Sequence, residues 1–95
     1  MPRYLIERSF AEQVVLTKDG VEGIKRINDE EGVLWIFSFL SADKKKSYCL
    51  YEAPNPEAIR AAARRNNVAC DAIIEIGAEL SPNMFALEVG ALLAP

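Results

Sequence analysis

Residues 47–65, SYCLYEAPNPEAIRAAARR, place a cysteine, two tyrosines and a glutamate just ahead of a break made by two prolines. Tyr51 and Glu52 in that run, with Glu7 nearer the N-terminus, are the groups able to move a proton, and they are the candidate catalytic residues if the chain is an enzyme. Cys49 would need a neighbouring base to act as a nucleophile, and the chain contains no histidine, which removes every Cys/His and Ser/His arrangement. Cys49 and Cys70 lack the short paired spacing of a zinc knuckle or a redox dithiol, so each reads as a small buried hydrophobe. No metal site is expected. Glu52 and Glu75 are weak candidates for an oxygen-ligand one, and an ion pair of Glu52 with Arg3 at the sheet end is the competing reading.

Aromatic side chains form the second constellation. Tyr4, Trp35, Phe37, Phe39 and Tyr51, with Cys49, would line an apolar pocket bearing a few hydroxyls if they share one sheet face. Packing in a core or a dimer interface is the alternative. Hairpin register decides between them: with Phe39 opposite Cys49, residues Trp35, Phe37, Cys49 and Tyr51 point together, and a one-residue slip separates the sets.

The elements that must position these groups follow from periodicity. RYLIER, residues 3–8, alternates charged and apolar residues and predicts a first strand. Val21, Ile24 and Ile27 have helical spacing, with Asp19 a candidate N-cap and Gly32 the stop, which predicts a helix over about 19–31 or one with an earlier start. Residues 32–42, GVLWIFSFLSA, are apolar on both parities and suit a strand covered on both faces. DKKK turns the chain with a solvated tip, and residues 47–53 return as the second arm of a hairpin. Pro54 and Pro56 end that strand, because proline cannot donate a ladder hydrogen bond. Asn55 then caps a helix that opens on Pro56 and closes at Asn66-Asn67. Residues 71–77, DAIIEIG, form the last strand, and 78–95 are an apolar C-terminal extension.

The order strand, helix, strand, strand, helix, strand is the split ferredoxin-like βαββαβ pattern, an α+β fold with an antiparallel four-stranded sheet. Residues 1–95 make a single domain with its core in 2–77. Two helices cover one sheet face. The apolar second strand predicts that the other face packs on a second copy, giving a dimeric α+β barrel.

Composition bounds the remaining possibilities. The chain is 51% hydrophobic and 26% charged, the balance of a folded domain, and its net charge of −3 carries no basic footprint for nucleic acid. No apolar run approaches a bilayer span and no signal peptide is recognisable, so a cytoplasmic protein with reduced thiols and no membrane partner is expected.

RYLIER with Phe10, GVLWIFSF, YCLYEAPNPEAIRAAARR and IIEIG together resemble a family of small bacterial domains of unknown function that includes a nickel-responsive, nickel-binding actinobacterial protein. The resemblance runs from Pro2 to Gly77 and is most specific over Cys49 to Arg60. It implies the same ferredoxin-like dimer. Members of that family often carry Trp-x-His-Ser-Tyr in the second strand, where this chain reads Trp35-Ile36-Phe37-Ser38-Phe39. Phenylalanine thus stands at the histidine position.

The expected function is a dimeric binding module for a small, largely apolar ligand, with no cofactor. A cofactor-independent monooxygenase or isomerase-like enzyme is the alternative, and a nickel-responsive binding protein, weakened by the missing histidines, is the third. Nickel affinity at neutral pH comes mainly from imidazole and thiolate ligands. Binding at about 100 times Kd would stabilise the fold by about 2.7 kcal/mol and raise Tm by several degrees. Untagged protein is expected to melt at the same temperature with and without excess nickel, and a nickel-specific rise with stoichiometric calorimetry would overturn this.

Overall fold

The computed structural model describes residues 1–78 and 80–82, so most of the 78–95 extension lies outside the described residues. Its elements are β1 (Arg3–Ser9), α1 (Lys18–Glu30), β2 (Leu34–Leu40), β3 (Lys46–Glu52), α2 (Pro56–Asn66) and β4 (Ala72–Ile76). The four strands form one antiparallel sheet in the order β2-β3-β1-β4. This is the ferredoxin-like α+β arrangement the residue pattern predicts.

Helix ends follow from capping chemistry. At α2, the Asn55 side chain accepts from the Ala58 N–H at 2.9 Å, and Pro56 occupies the first turn, where its missing N–H costs nothing. Asn67 closes the helix in the left-handed region at φ 55°, one of the few places where a non-glycine residue tolerates it. The start of α1 differs from expectation. Thr17, not Asp19, is the N-cap, its hydroxyl accepting from the Gly20 N–H at 3.0 Å. Asp19 lies instead in the first turn, where its carboxylate faces the positive end of the helix dipole.

Alternation along β1 divides the sheet into two faces. Tyr4, Ile6 and Arg8 are buried, whereas Arg3, Leu5 and Ser9 are exposed. Tyr4 and Ile6 join Cys49 and Tyr51 of β3, Ile59 and Ala62 of α2, and Val33 and Ala53 in one core. Small side chains at Ala62 and Ala63, both buried, let α2 lie close on the sheet. Among the described residues the opposite face has no such cover. Leu5, Leu34, Phe37, Phe39, Tyr48 and Ile74 are all exposed there, Phe39 at 67%.

Register is the point on which the pocket expectation turned. Phe39 pairs with Tyr48 and Ser38 with Cys49, the one-residue slip from the pairing that would have aligned Phe37 and Phe39 with Cys49. A bulge then shifts the ladder between Trp35 and Phe37, so Trp35 pairs with Tyr51 while Phe37 pairs with Leu50. Trp35 therefore joins Cys49 and Tyr51 on the helix-covered face. Phe37 and Phe39 stand on the open one, ring centroids 5.4 Å apart and edge to face.

Candidate functional site

Between sheet and helices lies a cavity of about 280 Å³, close to the lower end of the range for small-molecule pockets. Its floor is β2 and β3, from which Trp35, Ser38, Leu40, Ser47, Cys49 and Tyr51 face inward. Its roof comes from the β1–α1 connection, through Phe10, Val14 and Leu16, and from Ile24 of α1. Two backbone bonds pin that connection to the β2–β3 turn: Phe10 N–H to the Lys45 carbonyl at 2.8 Å and Val14 N–H to the Lys44 carbonyl at 2.9 Å. Trp35 anchors its own ring by donating from Nε1 to Ser38 Oγ at 2.7 Å.

Among the described residues Arg8 is the one charged residue lining this cavity, and it is only 5% exposed. Its Nη1 donates to the Ala69 carbonyl at 2.6 Å, and its Nη2 makes a long contact of 3.5 Å with the Tyr51 hydroxyl. The guanidinium carbon also sits 5.7 Å from the centroid of the Tyr51 ring, within cation–π range. Among the described residues no carboxylate pairs with it, although Arg3, Lys25, Lys46, Arg60 and Arg65 all have acidic partners. Burial pushes the Tyr51 phenol above its ordinary range, outweighing the pull of Arg8 and of Asn28 beside it.

The residues singled out from the sequence divide by face. Trp35, Cys49 and Tyr51 line the cavity, and Phe39 reaches its edge. Tyr4 is in the core below, and Phe37 lines a second apolar pocket, of about 440 Å³, on the open face with Leu5 and Leu50. The carboxylates are elsewhere. Glu52 pairs with Arg3 at 3.2 Å and Glu7 with Lys46 at 3.0 Å, both on the open side of the sheet. Glu75 sits opposite Tyr4 while Glu52 sits opposite Arg3, so the two project to opposite faces and do not share a site. Among the described residues no three Cys, Asp or Glu side chains cluster as metal ligands. Arg8 was absent from the candidates; the signal for it was its parity, two positions beyond Ile6 and four beyond Tyr4.

The model for nickel responsive proteins of the SCO4226-like group matches residues 4–76. The chain belongs to that family. Among solved structures, the SCO4226-like fold recurs in the crystal structure of SCO4226 from Streptomyces coelicolor A3(2), with a TM-score of 0.64 and 18% identity over 82% of this chain and 99% of that one. At that identity the likeness establishes the fold. No curated protein matches the chain. No helix among the described residues of this SCO4226-like chain is long and apolar enough to cross a membrane.

The raised Tyr51 phenol fixes the sign of a pH effect. A folded value above the unfolded one, about 10, means that the fold keeps a proton the unfolded chain releases. That contribution is complete below about pH 10 and is lost as pH rises from there through the folded value. Urea unfolding at stepped pH is expected to show native stability falling above about pH 10, with a shallower fall in Tyr51→Phe. Equal slopes would mean that the phenol titrates alike in both states.

Proposed function

We propose that this chain is a dimeric binding module that holds a small, largely apolar ligand between its sheet and its helices. The observation that carries the reading is the cavity under the β1–α1 connection, whose lining is apolar except for a few convergent polar groups. An enzymatic reading draws no support from the carboxylates, since Glu7 and Glu52 are engaged in ion pairs outside the cavity. The nickel response in the family's name is the weaker reading for this chain, which has no histidine.

Trp35 is the single tryptophan and lines the cavity, so its emission reports occupancy directly. A neutral apolar probe such as 1-octanol is expected to shift that emission saturably. Val14→Phe, which adds bulk from the half-buried connection, should weaken the response roughly tenfold without lowering Tm. No saturable response in the native protein would overturn the reading.

The second copy belongs on the open sheet face. Leu5, Leu34, Ile36, Phe37, Phe39 and Ile74 are all exposed there, a clustered apolar surface of the kind that association covers. The charges bordering that face are already neutralised, Arg3 by Glu52 near one end and Lys46 by Glu7 near the other. Such a surface suits a two-fold, self-complementary contact of two sheets. Light scattering at micromolar concentration is expected to give twice the 10.5 kDa chain mass, and Phe37→Lys to give the monomer. A native monomer would sink the dimer.

A further inference from the structure

We propose that Arg8 makes the cavity a site for a monocarboxylate: the carboxylate of the ligand seats on the guanidinium, and its hydrocarbon body lies along Trp35, Leu40 and the β1–α1 connection. This rests on the binding-module reading and deepens it. A guanidinium is a permanent cation in proteins, so a residue 5% exposed carries a full charge into a largely apolar cavity. Such a charge is costly unless a counter-charge and hydrogen bonds compensate it. Here one short bond to the Ala69 carbonyl, one long one to the Tyr51 hydroxyl and the Tyr51 ring face, but no counter-charge, are what the described residues offer. A guanidinium has five N–H donors in a fork that fits a carboxylate with two parallel bonds.

Asn28, 2% exposed and beside the Tyr51 phenol that Arg8 also contacts, carries an Nδ2 with no hydrogen-bond partner among the described residues, while its Oδ1 is held at 3.3 Å by Asn66, a residue of the cavity wall. Ser47, directly across the ladder from Arg8, is buried beside it and adds a hydroxyl to the lining. Charge counting selects the anion. Among the described residues Arg8 is the sole charge in the lining, so a monoanion leaves the filled cavity neutral, whereas a phosphate dianion would leave a buried negative charge. The rest of the lining is aromatic and aliphatic, which calls for an apolar body behind the carboxylate.

The test uses Trp35 emission and three probes of the native protein: octanoate, 1-octanol and inorganic phosphate. Octanoate is expected to bind at least roughly tenfold more tightly than the alcohol, the margin of a charge-assisted hydrogen bond, and phosphate alone to give no response. Arg8→Met should erase the preference for the acid while keeping the alcohol, and Arg8→Lys, which keeps the charge and loses the fork, should retain part of it. If Arg8→Met does not fold by circular dichroism, the native probe pair and Arg8→Lys decide. Equal affinity for acid and alcohol would overturn the carboxylate and leave the apolar pocket standing. Tighter binding of phosphate would also overturn it. Silence from both octanoate and 1-octanol would overturn the pocket itself.

Discussion

Everything in this fold hangs from the alternation of β1. The strand is hydrogen-bonded on both sides, to β3 and to β4, so its pleat fixes the facing of its neighbours. Tyr4 and Ile6 on the inner parity build the floor of the core, and Arg8 continues the same parity into the cavity. Leu5 on the outer parity continues into the exposed apolar face through Leu50 and Ile74, its partners on either side. A slip of one residue would exchange the two sets and put Glu7 inside. Arg8 is tolerated inward because the chain leaving α2 passes close enough for the Ala69 carbonyl to receive it, and because the Tyr51 ring shields its face.

The ion pairs elsewhere put that arginine in perspective. Arg65 bridges Glu30 and Glu31 of the α1 end, and Lys25 pairs with Asp29 one turn away, all on wet surfaces where such pairs add little. These cations have partners yet barely need them. Arg8, the buried one, needs a partner most and has no acidic one among the described residues. Among the described residues the unmet electrostatic demand is thus concentrated at one place, in the wall of the cavity.

Most of the architecture was legible in local signals. Asn55 and Pro56 mark a helix start, Asn67 a helix end and the two prolines a strand end, each through backbone chemistry that acts within a few residues. The start of α1 was less so, since Thr17 and Asp19 can both cap and only packing selects between them. The site was legible in part. Trp35, Cys49 and Tyr51 reach the cavity, but the grouping of Phe37 with them depended on hairpin register, which the five-residue connection leaves undetermined and a bulge then resets. Arg8 escaped notice because charge suggests solvent, while its strand parity says otherwise. Where the two signals conflict, the exception is where chemistry collects.

The bulge at Ile36 has a further consequence for how such a chain can change over generations. In a regular ladder without the bulge, Trp35 and Phe37, two positions apart, would share a face, and any exchange at one would be felt by the other. With it, Phe37, at the position where the sequence resemblance implies a histidine, turns away from the cavity. The two surfaces can then drift separately: a lineage can gain or shed an imidazole on the outer side while what sits beneath the helices is inherited intact.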